Sequence, residues 1–302
     1  MLRALILVLL LPLHGFAQTK EIQNMIADRL ASVQFVLSLE DPRGGFRPKA
    51  SDPKKEQHIP ATLGATSAAV RALKYLGAKV PNPEKHAAFV LTCFDPQSGG
   101  FAEIPRGTET VYTTSVGVMA AVELGIPKEK FAKAMTFIHE KANSFEEARI
   151  AAAAVESWGV RDCPFPLDPW FTLLEKIGSD GTVEGGDDSA RLAGATAAMR
   201  IRLGKPIENT KPIMEVIENG RRDDGAWGRL NADGSDLEST YRVIRGFHMM
   251  KTKPKDTGRL REFLQKCSNP DGGYGISPGE PSGVGPVYFA TIITHWLDGM
   301  EK

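Results

Sequence analysis

The chain has 302 residues, 42% of them hydrophobic and 25% charged, an ordinary soluble composition long enough to bury a large core. Its 37 basic residues balance 37 acidic ones, so it offers no basic face of the kind nucleic acid requires, and nucleic acid is excluded as a partner. The thirty glycines and twenty prolines punctuate loops and form no low-complexity tract.

At the N-terminus, Met1-Leu2-Arg3 is a short basic start and Ala4–Leu13 an unbroken apolar run. Gly15-Phe16-Ala17 then places small residues two apart before polar Gln18-Thr19-Lys20. This three-part order predicts a signal peptide over residues 1–17, with the run too short for a comfortable membrane span. The expected protein is exported, periplasmic or secreted, with no integral membrane span after cleavage. An uncleaved anchor or a buried first helix is the alternative.

Amphipathic spacing predicts a helix over Lys20–Leu39 that ends at Asp41-Pro42 and runs into Gly44-Gly45-Phe46. A polar loop through His58 leads to a second helix, Ala61–Leu76. The order then recurs: helix Glu84–Cys93, turn Gly99-Gly100-Phe101, helix Tyr112–Leu124. A third unit, Lys128–Lys141 and Glu146–Trp158, lacks the glycine–aromatic turn. The fourth pairs Asp168–Ile177 with Asp188–Leu203. The fifth pairs Lys211–Asn219 with Glu238–Met250 around Gly225-Ala226-Trp227. The sixth pairs Asp256–Cys267 with Val287–Asp298 around Gly272-Gly273-Tyr274.

Six helix pairs of similar length fill residues 18–302 as a single domain. An open stack of helix pairs needs special capping ends, and neither terminal unit looks like a cap. The expectation is therefore an all-α fold closed into a ring, an α/α toroid. Its inner helices should be the Ala/Gly-rich second members of each pair, and its outer helices the Lys- and Glu-bearing first members. Cys93 and Cys267 fall at one place in two repeats and read as structural thiols; Cys163 reads as a loop residue. No cysteine spacing suggests a zinc cage.

With these repeats in place, FVLTC…GGFAE…Tyr112-Thr113-Thr114, MEVIEN…GAWGR…Thr240-Tyr241 and FLQKC…GGYG…Tyr288 resemble the repeats of protein prenyltransferase β subunits and triterpene cyclases. The likeness spans all six units and is nearer to the β subunits. It implies the α/α toroid of that family, and it implies prenyl transfer with a zinc ion held by an Asp-x-Cys-Tyr stretch and a later His. Here the stretch resembles Glu238-Ser239-Thr240-Tyr241, with a hydroxyl in place of the thiolate. The last unit offers Tyr288 and Phe289 where the His would fall. Zinc needs three or four firm ligands, so no cofactor is expected. Gly228-Arg229-Leu230-Asn231 resembles the family stretch whose Arg faces a diphosphate. Asp187-Asp188-Ser189 resembles the acid run of the cyclases, where a raised carboxyl pKa serves a proton donor. The plainer reading of Asp187 and Asp188 is a helix N-cap.

Acids also gather at the inner-helix N-termini: Glu109, Glu146, Glu147, Asp187, Asp188, Asp236 and Glu238. Either they are caps, or they form an acidic mouth that attracts a cation or a basic peptide. Tyr112, Tyr241, Tyr288 and Phe289 would line the wall beneath as a ligand site, with Arg229, Glu238 and Thr240 at its edge. Three readings stay open: an exported toroid that binds a hydrophobic, isoprenoid-like chain or a peptide in its lumen, an active prenyltransferase or cyclase, and a structural protein-interaction module.

Overall fold

The computed structural model describes residues 14–50, 59–175 and 189–301, with side chains from Met25 onward. Twelve α-helices span the described residues. The first six are α1 His14–Ser38, α2 Leu63–Tyr75, α3 Pro83–Thr92, α4 Val111–Glu123, α5 Lys133–Lys141 and α6 Phe145–Trp158. The other six are α7 Asp168–Glu175, α8 Ser189–Arg202, α9 Lys211–Asn219, α10 Leu237–Met249, α11 Thr257–Lys266 and α12 Val284–Met300. The even-numbered helices pack each against the next, and α12 packs back against α2, so the ring is closed. The odd-numbered helices lie outside it, with α1 touching both α12 and α2 at the seam. The fold is an α/α toroid.

Ring closure depends on small residues where inner helices meet. A Cβ on Gly246 of α10 would stand 2.9 Å from the Gly194 Cα of α8, so these two backbones touch directly. Helices α2, α6 and α8 are rich in alanine at their contacts; Ala151, Ala152 and Ala154 of α6 are wholly buried. Alanine gives close helix packing at no side-chain entropy cost.

The glycine–aromatic turn joins the two rings. Gly99, Gly225 and Gly272 adopt φ of 81°, 83° and 81°, a left-handed conformation open to glycine at little cost. The turn throws Phe46, Phe101 or Trp227 inward, where each is fully buried. Burial of one such ring contributes about 1.5–3 kcal/mol. A threonine at the fourth position of the next inner helix then accepts the backbone N–H of the aromatic residue. Thr66 accepts from Phe46 and Thr114 from Phe101, each at 3.0 Å, and Thr240 accepts from Trp227 at 3.2 Å. Cys93 and Cys267 close the preceding outer helices, are buried, and accept backbone bonds from Ala102 and Gly275 through their carbonyls. Burial pushes both thiols up to about 12, as befits packing groups.

Several helix boundaries differ from expectation, most at the start, where α1 begins at His14 rather than Lys20. The segment Lys128–Lys141 is broken: a 3-10 turn at Lys128–Lys130 precedes α5. The break lets Phe131 sink into the core, where its ring meets Trp158 edge-on at 5.5 Å. Helix α12 starts three residues before Val287 because Pro286 sits in its first turn, where proline forfeits no helical hydrogen bond.

Candidate functional site

The ring encloses a cavity of about 530 Å³. Its lining follows the repeat register. The second, fifth, sixth and ninth residues of the inner helices face it: Glu238, Tyr241, Arg242 and Arg245 on α10, for example, and Tyr112, Val116 and Met119 on α4. That spacing is one stripe of a helix with 3.6 residues per turn. Arg245 lies seven residues beyond Glu238, about 10 Å deeper along the helix axis.

The upper level of the cavity is an ion-pair network. Glu238 accepts from Arg242 at 2.7 Å and from Arg229 at 3.1 Å, with Arg191 at 3.5 Å. Glu146 accepts from Arg149 at 2.8 Å, with Arg242 at 3.5 Å. Burial alone would raise both carboxyls, but the surrounding guanidinium groups outweigh it and hold both below their ordinary range.

The lower level is aromatic and cationic. The Tyr241 hydroxyl lies 3.2 Å from that of Tyr288, and Arg245 donates to Tyr241 at 3.4 Å. Arg245 also lies over the Tyr241 ring, and Arg71 of α2 over the Tyr288 ring, at 5.0 and 5.3 Å. Tyr241 packs between Phe289 and Trp296 at 5.0 and 5.6 Å. Burial pushes the Tyr241 phenol up, but Arg245, Arg71 and Arg202 prevail and bring it down to about 7. Tyr288 moves the other way, raised by burial and by its neighbour Tyr241. Burial, with repulsion from Arg202, lowers Arg245 to about 10, so it keeps its proton at neutral pH.

Tyr112, Glu238, Tyr241, Tyr288 and Phe289 thus line one cavity, Tyr112 at its rim with 57% of its surface exposed. Arg229 stays outside the lining but reaches Glu238 from the rim. Thr240 does not join them. It is 0% exposed, and its hydroxyl holds the Trp227 backbone in the aromatic turn, donating to the carbonyl at 3.2 Å. Asp187 and Asp188, with His58, lie outside the described residues.

The acids at the helix starts divide into two kinds. Glu147 and Asp236 are caps: Glu147 accepts from the Ser144 backbone at 3.0 Å, and Asp236 from Ser239 at 2.7 Å. Glu146 and Glu238 are ion-pair partners. Among the described residues, five arginines, at 71, 149, 202, 242 and 245, line the cavity against two glutamates, Glu103 and Glu238. Among the described residues arginine neutralises Glu146 and Glu238 and outnumbers the acids of the lumen, which does not fit the expected acidic mouth for a cation or a basic peptide; Asp187 and Asp188 of that mouth lie outside them. These arginines were missed because arginine on a helix usually marks a solvated face. Arg71 and Arg245 both fall at the ninth residue of an inner helix, a signal available once repeat register is counted.

The same geometry bears on zinc. Of the expected donors, Glu238 is engaged by three guanidinium groups and Thr240 by a backbone turn, and Tyr288 and Phe289 offer no imidazole. A dication would have to displace cations to reach Glu238, and this donor set does not fit it.

The prenyltransferase alpha-alpha toroid domain matches residues 6–148 and 178–301. The chain belongs to that family. Its toroid is similar to Candida albicans protein geranylgeranyltransferase-I, solved with GGPP, at TM-score 0.64 and 13% identity over 78% of this chain and 84% of that one. It is also similar to the type II terpene cyclase MstE from Scytonema, at 0.62 and 13% over 92% and 98%. A family 76 mannosidase from Bacteroides thetaiotaomicron shares the architecture at 0.62 and 9% over 92% and 100%. At these identities the likeness speaks to fold. No curated protein sequence matches the chain. Among the described residues, no helix of this toroid is long and apolar enough to cross a membrane.

Proposed function

We propose that this member of the prenyltransferase toroid family binds an apolar, isoprenoid-like chain in its lumen and does not perform zinc-dependent prenyl transfer. The observation that carries the reading is the cavity: about 530 Å³, within the range of small-molecule sites, and walled on the α4 and α6 side by Val116, Met119, Ile150 and Ala153. Each buried methylene of a chain laid on that wall would contribute about 0.8 kcal/mol. The GGPP bound to the geranylgeranyltransferase and the geranylgeranyl dihydroxybenzoate bound to the cyclase support the same class of ligand. Against transfer stand the engaged donors at Glu238 and Thr240. Export is part of the proposal, supported by the basic start and apolar run of Met1–Leu13; N-terminal sequencing of the protein recovered outside the cytoplasm tests it. The lumen reading is tested with Ala153→Trp, which fills the cavity from the α6 wall. Binding of geranylgeraniol should be lost while the melting temperature stays within a few degrees of wild type. Undiminished binding would remove the lumen as the site.

A further inference from the structure

The cavity is two-sided in a way that an apolar ligand alone does not explain. Helices α10 and α12 stand opposite the α4–α6 wall and α2 beside it, and together they present Arg245, the Tyr241–Tyr288 pair and Arg71. Three of the five lumen arginines are matched: Arg149 with Glu146, Arg202 with Glu156 and Arg242 with Glu238, each pair at 2.7 or 2.8 Å. Arg245 and Arg71 are not. Among the described residues neither has a carboxylate partner. Arg71 meets the Met119 sulfur at 3.7 Å and the Tyr288 ring, and Arg245 spends one nitrogen on Tyr241. Arg245 is 4% exposed, lines the cavity, and has both Nε and Nη2 buried without a hydrogen-bond partner. A buried guanidinium does not shed its charge, and one left unpaired costs several kcal/mol. Two donors in a planar fork match the two oxygens of one oxyanion.

We propose that this side of the lumen receives a singly or doubly charged oxyanion, a carboxylate or phosphate monoester, as the headgroup of the apolar chain that the α4–α6 wall accepts. Arg245 and Arg71 supply two positive charges with no carboxylate partner among the described residues, and Tyr241, whose phenol they bring down to about 7, holds its proton once an oxyanion takes its place as their counter-charge; a charge of one or two suits this pair better than the larger charge of a diphosphate. The Tyr241 and Tyr288 hydroxyls would complete the oxygen shell, and the rim pairs of Glu146 and Glu238 stay intact above it. The inference rests on the lumen-binding reading and goes further by naming the headgroup and its two anchors.

The test compares dodecanoate, dodecyl phosphate and dodecanol by calorimetric titration of the intact protein. The two anions should bind about tenfold or more tighter than the alcohol, the scale of one charged hydrogen bond. Arg245→Gln should cut that preference severalfold, read as the ratio of anion to dodecanol affinity. Arg71→Gln, at a half-buried position, should reduce it independently and serves if the first variant does not fold. Equal affinity for all three probes, or an anion preference that survives both substitutions, overturns the headgroup assignment and leaves the lumen reading standing. Failure of every probe to bind overturns the lumen reading and this inference with it.

Discussion

Thr240 separates architecture from site, and Thr240→Val is the substitution that does so. The change removes the one hydroxyl that accepts the Trp227 N–H at 3.2 Å and donates to its carbonyl at 3.2 Å. The carbonyl keeps a second partner, the Asp236 N–H at 3.0 Å. The N–H is left buried beside a methyl group. An orphaned buried donor costs about 1–3 kcal/mol, and the volume hardly changes, so that term dominates. At about 2–4 °C per kcal/mol for domains slightly smaller than this one, melting should fall by about 2–10 °C. Thr114→Val, which orphans the Phe101 N–H, should cost a similar amount. The assay is thermal unfolding by circular dichroism, paired with dodecanoate titration of each folded variant. Binding should stay within about twofold of wild type, since the hydroxyl faces the turn and not the cavity. Unchanged stability together with lost binding would refute the assignment and return Thr240 to the ligand site.

Other consequences are as direct. A near-UV pH titration should show one phenolate appearing around pH 7, and Tyr241→Phe should abolish it. Because the folded pKa of Tyr241 lies below its unfolded value near 10, its contribution to stability is full above that value and is lost as pH falls through about 7. Wild type should therefore gain stability relative to Tyr241→Phe across that window; equal pH profiles would contradict the tyrosine–arginine geometry. Glu238 is depressed in the same sense below its ordinary 4.5, so its contribution is present above 4.5 and fades under acid. Glu238→Gln should flatten the acid limb of a stability–pH curve, and an unaltered limb would count against the ion-pair network. Gly246→Ala should destabilise by about 1–3 kcal/mol in chemical denaturation, because its Cβ would meet the Gly194 backbone; a neutral result would mean that α8 and α10 do not touch.

The ring was legible in the sequence because the aromatic turn repeats. Gly99-Gly100-Phe101 and its counterparts recur with the same helix on either side, and twelve helices closed at α12–α2 follow from that period. Phe131 was not legible as a helix breaker, since its pull into the core depends on Trp158, almost thirty residues away. Tyr112, Glu238, Tyr241, Tyr288 and Phe289 were placed by the shared direction of the inner helices and do share one cavity. Thr240 came from the family stretch and lies outside it, although Thr66 and Thr114 at the same offset already marked it as a turn residue. The lumen arginines escaped for a physical reason. Charge on a helix is cheap outside a ring and costly inside it, and the sequence distinguishes the two only when position within the inner helix is counted.

A lumen that holds an apolar chain with an oxyanion head should retain it through purification, where lipid extraction and mass spectrometry of the native protein would find it. Wild type should carry about one acidic amphiphile per chain, greatly reduced in Ala153→Trp and in Arg245→Gln. An amphiphile retained equally by all three proteins, or a neutral lipid indifferent to Arg245, would contradict it.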